Sequence, residues 1–478
     1  MRARIFVSTL WELLVVLVAG GCATYQPQPL APGSSAAAFE ERRLDSPALH
    51  QFVRANHQPA LAGTGLAEWT REALVLAALY DHPALAVPRA RWRGAQAAEI
   101  TAGMRPNPTL AVIGEFDFVR PGGLSPWAPG LSLDFPIETM GRRALRLALA
   151  RQNTETARLE LHEAAWRVRA EVRDALVENR FLRQQTNLLA AQLDLQEKIL
   201  RLIERRVAAG GVAPAELLPH QLAAQRTTLD LQGARERAAA AVPRLAAALG
   251  VTAQELSRAV GEPGFRRVFE ETPGGAAPSQ SALAEARARA VQGRPDLRVL
   301  LAAYESAELG LRLEVVRQYP NLNLGSGYKW NQGESEWSFT RIGLDLPVMN
   351  QNQGPIAEAE ARRSEAAARV QARQAQIFGE VDAALAALAQ AHASVSAARA
   401  LVGVQRQQQE LAIAQRRAGA ADDTEVRVAE LQGINAQLLL ADASNRLERA
   451  EALLEDALRQ SVRFPIETAP AAPATHEK

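Results

Sequence analysis

The chain has 478 residues, with 54 Lys or Arg and 53 Asp or Glu, so its formal net charge is +1. A charge this balanced does not favour a nucleic-acid partner. Aromatic residues make up only 5%, and Ala, Leu, Arg, Glu and Gln recur over long distances, which is typical of long helices and coiled coils. The single cysteine excludes an intramolecular disulfide framework and a Cys-based zinc or iron–sulfur cluster.

The N-terminus has the layout of a secretory signal. Arg2 and Arg4 precede a mostly apolar stretch that ends in Ala19-Gly20-Gly21-Cys22, and the stretch is shorter than the about 20 residues of a transmembrane helix. Small residues before the sole cysteine resemble a lipobox, which implies that Cys22 becomes the acylated, palmitate-carrying N-terminus of an outer-membrane lipoprotein. Cleavage nearby by an ordinary signal peptidase, leaving a free Cys22, is the alternative.

An internal repeat divides the rest of the chain. Four segments recur in the same order at a nearly constant offset: 82–85 at 294–297, 107–110 at 319–322, 131–136 at 342–347, and 210–217 at 419–426. We therefore predict a signal peptide with lipobox (1–22), a tether without a core of its own (23–62), a first helix–hairpin–helix repeat (63–265), a linker (266–280), a second repeat (281–463) and a C-terminal tail (464–478).

Each repeat contains two stretches of period-two alternation, which predict a β-hairpin. The apolar positions are Leu110, Val112, Gly114, Phe116 and Phe118, then Leu131, Leu133, Phe135 and Ile137, and in the second repeat Leu322, Leu324, Tyr328 and Trp330, then Ile342, Leu344, Leu346 and Val348. Trp337 and Phe339 are out of phase with the last stretch, which indicates a bulge or an aromatic girdle.

Strands of about ten residues have the length that a tilted strand needs to cross a bilayer. Four strands cannot close a barrel, so strands of other subunits must complete it. Alternation alone is equally compatible with a soluble hairpin packed on helices.

Two segments, 142–208 without proline and 354–417 with proline only at Pro355 in its first turn, predict helices on the order of 100 Å long. Glycines 210 and 419 follow their ends, and shorter helices return to about Leu249 and Val462. Rods of this length pack side by side with other rods.

These repeats resemble the outer-membrane efflux proteins of TolC type. The resemblance rests on the Pro108 and Pro320 boundaries, the strand ends at 133–136 and 344–347, and the Gly-x5-Glu pattern at 210–216 and 419–425. Segments 135–143 and 350–356 are similar to the Czc/Cus-type branch for heavy metals. The resemblance implies a mainly α fold with membrane β-structure: a homotrimer whose twelve strands, four per protomer, close one β-barrel continuous with a long coiled-coil helical barrel in the periplasm. It further implies a passive duct that meets an adaptor (membrane fusion) protein and an inner-membrane RND-type pump, and exports metal ions or small toxic compounds.

The same resemblance implies a constriction near the periplasmic turn, formed by Glu425, its repeat mate Glu216, and Asp422 and Asp423. For Asp422 and Asp423, solvated charges at a turn near a helix N-terminus are an equal alternative.

Strand alternation assigns the other candidate residues to two faces. We expect Glu115, Asp117, Asp134 and Asp345 in the barrel lumen, and Phe116, Phe118, Leu133, Phe135, Leu322, Leu324 and Leu344 against outer-membrane lipid. Arg142 and Arg143 begin a helix, where a positive charge is unfavourable unless lipid head groups lie nearby; plain solvation is the alternative.

Nothing in the sequence indicates an enzyme, a cofactor or a metal site. The seven histidines lack ligand spacing, methionines number four, and no phosphate-binding loop or Ser-His-Asp order occurs. The competing hypothesis to a duct is a periplasmic coiled-coil adaptor or structural protein without its own pore.

Overall fold

The computed structural model describes residues 24–56, 69–116, 118, 122, 126–270, 280–331, 334–344 and 346–460. Three of the residues singled out above, Cys22, Asp117 and Asp345, lie outside these ranges, as do the signal peptide and the C-terminal tail.

The described residues 24–43 belong to a unit of their own. Its helix α1, Pro32–Glu40, has no buried residue, and Ser34 Oγ donates to the carbonyl of Ala31 at 2.8 Å in its first turn.

The second unit begins at Leu44, and an order of two helices, two strands and two helices occurs in it twice, with one additional helix on each side of the first occurrence. The first series consists of α2 (Pro47–Asn56), α3 (Arg71–Asp81), α4 (Pro83–Gly103), β1 (Thr109–Phe116), β2 (Trp127–Ile137), α5 (Arg142–Ala208), α6 (Leu217–Leu249) and α7 (Ala253–Glu270). The second consists of α8 (Gln280–Gly293), α9 (Pro295–Val316), β3 (Leu322–Asn331), β4 (Glu334–Leu344), α10 (Gln353–Arg417) and α11 (Asp423–Leu458). The predicted mainly α fold with four strands is confirmed.

The long helices have the predicted extent. Helix α5 has 67 residues and α10 has 65, so each is about 100 Å long at 1.5 Å per residue. Each is followed by a glycine in the left-handed region, Gly210 with φ +72° and Gly419 with φ +74°, which ends the helix without the steric cost of a side chain. Helix α7 continues through a kink at Gly261 into the segment expected to be a linker.

The four strands form one antiparallel sheet in the order β1-β2-β3-β4. Leu110 lies opposite Leu133, Val112 opposite Leu131 and Phe135 opposite Leu324. Apolar residues of all four strands therefore share one face, as the alternation predicted.

A register shift at Gly325/Gly327 explains the out-of-phase aromatic residues. The pairing moves from Gly325 with Arg341 to Gly327 with Ser338, so β4 carries one extra residue there. This β-bulge brings Trp337 opposite Tyr328 on the apolar face. The alternating stretch was predicted to continue through Leu346 and Val348. This part of the prediction was wrong, because β4 ends at Leu344 and these two residues follow it outside the sheet.

Part of the segment predicted to be a tether without a core of its own packs on the core of the repeats. Leu44, Leu49 and Val53 are at most 3% exposed and pack in one apolar cluster with residues of α3, α5 and α6. Leu49 and Val53 are four residues apart on one side of α2, and Leu44 precedes that helix. The pattern is masked by the surrounding Pro, Ala and Gln.

The long helices pack in a row rather than in a closed bundle. Helix α5 contacts α6 on one side and α11 on the other, and α11 contacts α10, which gives the order α6-α5-α11-α10. Within the described residues, no helix combines the length and apolar character that spanning a membrane requires.

Largely buried charges line the contact between α5 and α11. Arg169 and Arg173 reach Glu455 at 3.6 and 3.4 Å, and Arg180 pairs with Glu448 one heptad away. Because each partner lies on the other helix, these pairs set the register in which the two rods lie.

A buried ion network holds the start of α9. The Arg294 guanidinium, 1% exposed, donates to the carbonyl of Ala457 at 2.6 Å and pairs with Asp296 and Glu380 at 2.7 and 2.8 Å. Arg373 binds the same two carboxylates at 2.7 Å. Burial alone would raise the pKa of Asp296, but hydrogen bonds from Arg294 and Arg373 outweigh it and lower that pKa to about 2.

Candidate functional site

The polar face of the sheet carries paired charges of both signs. Glu115 on β1 forms an ion pair with Lys329 on β3. Asp134 on β2 accepts two hydrogen bonds from the Arg341 guanidinium on β4, at 2.6 and 2.8 Å. The two described lumen candidates, Glu115 and Asp134, are therefore paired with basic residues of neighbouring strands.

Each of these ion pairs skips a strand, and a glycine lies in the strand that it crosses. Gly130 of β2 is in register with Lys329, and Gly325 of β3 is in register with both Asp134 and Arg341. A Cβ on Gly325 would overlap Asp134 Oδ1 and lie 3.3 Å from Arg341 Nε. The ion pair thus occupies the space that a side chain at 325 would need.

The opposite face of the sheet is apolar and uncovered in the protomer. Of the candidate lipid-facing residues, Phe118 is 91% exposed and Leu344 is 49% exposed. The remaining members are exposed or half-buried: Phe116, Leu133, Phe135, Leu322 and Leu324. Large apolar side chains on a continuous exposed face indicate a missing partner or a lipid environment.

Aromatic residues concentrate at the end of the sheet that is remote from the helices. Phe116 and Trp127 are opposite each other with ring centroids 5.0 Å apart, and Tyr328 and Trp337 are 4.6 Å apart. Trp337 also stacks on Phe339, with centroids at 6.2 Å. A band of this kind is typical of the membrane–water interface.

Arg142 and Arg143 connect the start of α5 to two other helices at the end where the helices meet the sheet. This is neither of the two expected roles, which were proximity to lipid head groups and plain solvation. Arg142 donates to Asn321 Oδ1 at 2.7 Å and to the carbonyl of Arg317 at 3.4 Å, and Arg143 donates to the carbonyl of Gly103 at 2.6 Å. These carbonyls lie at the C-terminal ends of α9 and α4, where helices leave acceptors unpaired. The positive charge at the start of α5 is balanced by the negative ends of its two neighbours.

At the opposite end of the rods, Asp422 joins two helices. Its Oδ1 accepts from the backbone N–H groups of Thr424 and Glu425, at 2.7 and 3.0 Å, and so caps α11. Its other oxygen pairs with Arg206 near the end of α5. Asp422 therefore has the structural role of a cap, the alternative left open for it.

The remaining candidate acids of this end differ from one another. Asp423 pairs with Arg416 across the turn between α10 and α11. Glu216 and Glu425 are exposed, and neither carboxylate has a charged partner within the described part of the chain. Free acids at a turn can attract cations or complete a ring with other copies, so Glu216 and Glu425 stay the candidates for a constriction.

Among the described residues, no three His, Cys, Asp or Glu side chains are arranged to hold a metal ion. The sheet and the turns at the far end of the long helices present charged groups and apolar surface. Charged groups suit ion conduction, and apolar surface suits assembly.

The family of the chain follows from its match to known proteins. Residues 51–251 and 286–458 match the family model for outer membrane efflux proteins. The chain belongs to this family. Outer membrane efflux proteins are transport ducts and not enzymes.

One curated relative of this efflux protein is the cobalt-zinc-cadmium resistance protein CzcC of Cupriavidus metallidurans, 24% identical over 233 residues. The match covers 48% of this chain and 52% of CzcC, so the chain spans about half the length of that relative.

Solved structures have the same fold as this efflux protein. The outer membrane protein VceC of Vibrio cholerae matches with a TM-score of 0.62 at 19% identity, over 81% of this chain and 95% of VceC. CusC matches with a TM-score of 0.62 at 16% identity, over 92% of this chain and 99% of CusC.

Sequence reasoning missed the basic partners on the polar face. Arg341 immediately precedes the apolar Ile342, and its phase alone places it on the polar side of β4. Its pairing with Asp134, 207 residues earlier, depends on the register of three strands and has no local signal.

Proposed function

We propose that this efflux protein is a passive homotrimeric duct in the outer membrane, with its helices in the periplasm. In this proposal twelve strands close one barrel, and the trimer works with a periplasmic adaptor protein and an inner-membrane RND-type pump. The observation that carries it is a protomer with two open edges, one in the sheet and one in the row of helices, that a ring of copies closes together.

The sheet supplies the first open edge. Strands β1 and β4 are its outer strands, and unpaired backbone groups at such an edge are too costly to leave in lipid. Pairing β4 of one copy with β1 of the next satisfies both edges and leaves the apolar face outside. The polar face with its ion pairs then lines the lumen.

The helices supply the second open edge. The outer helices of the row each carry apolar side chains at coiled-coil spacing near the turn end: Leu218, Leu222 and Leu229 on α6 are 64%, 54% and 67% exposed, and Leu401, Val404 and Leu411 on α10 are 37%, 59% and 64% exposed. In an antiparallel contact between neighbouring copies, Leu218 would lie opposite Leu411 and Leu229 opposite Leu401. Two stripes of equal length at equal height support ring closure.

The finer parts of the proposal concern anchoring, the constriction and cargo. Acylated Cys22 would tether the chain to the outer membrane. Three copies each of Glu216 and Glu425 would form the periplasmic constriction, and Glu425→Ala should then change the closed-state current in a planar bilayer. Likeness to CzcC, a cobalt-zinc-cadmium resistance protein, favours metal ions as cargo over other small toxic compounds.

The alternative is a periplasmic coiled-coil adaptor without a pore. An adaptor is expected to have one helical hairpin flanked by β-rich domains, whereas this chain has two hairpins with strands between its helices. Electron microscopy of detergent-extracted protein separates the two hypotheses. We expect a threefold tube with a helical part on the order of 100 Å and a detergent belt at one end; a compact or filamentous particle without a belt would favour the adaptor.

Two neighbouring residues of β1 test the face assignment. Val112, 78% exposed, lies on the apolar face, and Ile113, 37% exposed, lies on the polar face. Val112→Arg should abolish the outer-membrane trimer because it places a charge in lipid, at a cost of about 2–4 kcal/mol per copy. Ile113→Arg should assemble. Equal assembly of both variants contradicts the membrane assignment.

A further inference from the structure

The ion pairs on the polar face lead to a prediction about selectivity. We infer that Asp134 and Arg341 determine the charge selectivity of the duct within its barrel, as a neutral couple held flat against the wall. This inference rests on the proposed function, because it needs the polar face to line the lumen.

The geometry of the couple is specific. Arg341 reaches from β4 across β3 to Asp134 on β2 and places one guanidinium nitrogen 2.6 and 2.8 Å from the two carboxylate oxygens. The crossing point is Gly325, where the absence of a side chain lets the pair lie against the backbone. A long basic side chain that would otherwise extend toward the barrel axis is thereby drawn along the wall.

A second pair lies farther from the helices. Lys329 pairs with Glu115 across the register position of Gly130, and Gly130 and Asp134 are separated on β2 by about 13 Å at 3.3 Å per residue. Glu336 lies opposite Lys329 on β4, so Lys329 keeps an acidic neighbour even without Glu115. Removing one charge should therefore change ion selectivity more at the Asp134–Arg341 pair than at the Glu115–Lys329 pair.

Because the ion pair is neutral, removing one of its members changes the net charge of a lumen with low-dielectric walls. Removing one member leaves three uncompensated charges of one sign in a trimer, and such a wall focuses the field on passing ions. Removing both members restores neutrality. The two single variants must therefore shift selectivity in opposite directions, a result that a purely structural role of the pair does not produce.

The experiment is a reversal-potential measurement across a planar bilayer with a KCl gradient, using the full-length trimer. We expect Asp134→Asn to shift the cation-to-anion permeability ratio toward anions and Arg341→Gln to shift it toward cations, each by about two- to fivefold. The double variant should return close to wild type. Arg362→Gln, which removes an exposed charge paired with Glu358 on α10, is the matched control and should have a smaller effect.

Gly325→Ala tests the couple without changing any charge. Its methyl group would displace the ion pair from the wall and should lower single-channel conductance, whereas Gly114→Ala, with open space around it, should not. This variant and Arg341→Gln carry the test if Asp134→Asn fails to assemble.

The outcomes distinguish failure of the proposed duct from failure of the role assigned to Asp134 and Arg341. Absence of any channel from wild-type trimers overturns the proposed function. Channels whose selectivity is unchanged in both single variants, or shifts in the same direction in both, overturn the role of Asp134 and Arg341 while the duct itself stands.

Discussion

The two repeats have similar backbones at their helix junctions but stabilise them with different chemistry. His82 precedes α4, and its Nε2 lies 3.3 Å from the carbonyl of Ala247 near the end of α6. Its repeat mate Arg294 precedes α9 and donates to the carbonyl of Ala457 near the end of α11. The duplicated fold thus preserves a carbonyl that needs a donor, while the donor changed from an imidazole to a buried guanidinium.

The surroundings changed with the donor. The first junction adjoins a large apolar cluster built from α2, α3, α5, α6 and α7, whereas Arg294 lies in a network of two carboxylates and Arg373. Apolar packing tolerates the loss of one contact, but a buried ion network leaves uncompensated charge when a member is removed. The comparison teaches that the junction of the second repeat depends on a few charged residues, whereas the junction of the first repeat depends on apolar packing.

The largest expected effect is loss of Arg294. Arg294→Ala should lower the free energy of unfolding by about 3–5 kcal/mol, since the Ala457 carbonyl loses this buried donor and Asp296 and Glu380 keep only Arg373 as a basic partner. His82→Ala should cost only about 1 kcal/mol, the loss of a cap and one weak contact. Thermal unfolding followed by circular dichroism in detergent measures both; equal losses would remove the contrast between the repeats.

The second-largest expected effect is at Gly250, the residue that follows α6. Gly250 has φ +73°, and a Cβ there would lie 2.8 Å from Pro83 Cδ and 2.9 Å from His82 Cδ2. Gly250→Ala should cost about 2–4 kcal/mol, from left-handed strain and from steric overlap.

Gly210→Ala is its matched control, because φ is +72° and no atom lies within 4 Å of the added methyl group. It should cost about 1–2 kcal/mol from strain alone. A Gly250→Ala variant no less stable than Gly210→Ala would show that the close approach to the His82 junction is not needed. The second repeat has Arg459 at the equivalent position, with φ +51° and a 2.8 Å contact to Glu163.

The smallest expected effect is a pH dependence that originates at Asp296 in the second repeat. Because the pKa of Asp296 is lowered from 3.8 to about 2, its ionised form stabilises the fold by about 2 kcal/mol above pH 4. That stabilisation should be lost as pH falls from about 4 to about 2. The first repeat has Ala84 at this position and contributes nothing comparable.

Unfolding midpoints of wild type and Asp296→Asn, measured between pH 2 and pH 7, test this dependence. The difference between the two proteins should be largest near neutral pH and shrink below pH 4. A difference that is constant with pH would mean that Asp296 acts through hydrogen bonding alone.

Local sequence signals predicted the repeating elements well. Periodicity and flanking glycines gave helix α5 its observed bounds, 142–208, and α10 its end at 417. The phase slip at Trp337 predicted the bulge. These features depend on neighbouring residues, so the chain itself carries the information.

Features that depend on distant register were not predicted. The partners Glu115 and Lys329 are 214 residues apart, and Arg142 caps the end of a helix 175 residues later. Composition also misled the reading of residues 44–56, where a few buried positions on a short helix outweigh the flexible residues around them. Charge and composition report local solvation, whereas pairing requires the assembled fold.

The ion pairs between α5 and α11 determine when the long helices can finish packing during folding. Glu448 and Glu455 belong to α11, the last helix of the described residues, while their partners Arg169, Arg173 and Arg180 belong to α5. In a chain that emerges N-terminus first, α5 appears before α11, and its arginines stay hydrated until α11 arrives. Contacts of such high sequence separation delay folding, so the protomer completes its rods only after α11 is available to pack.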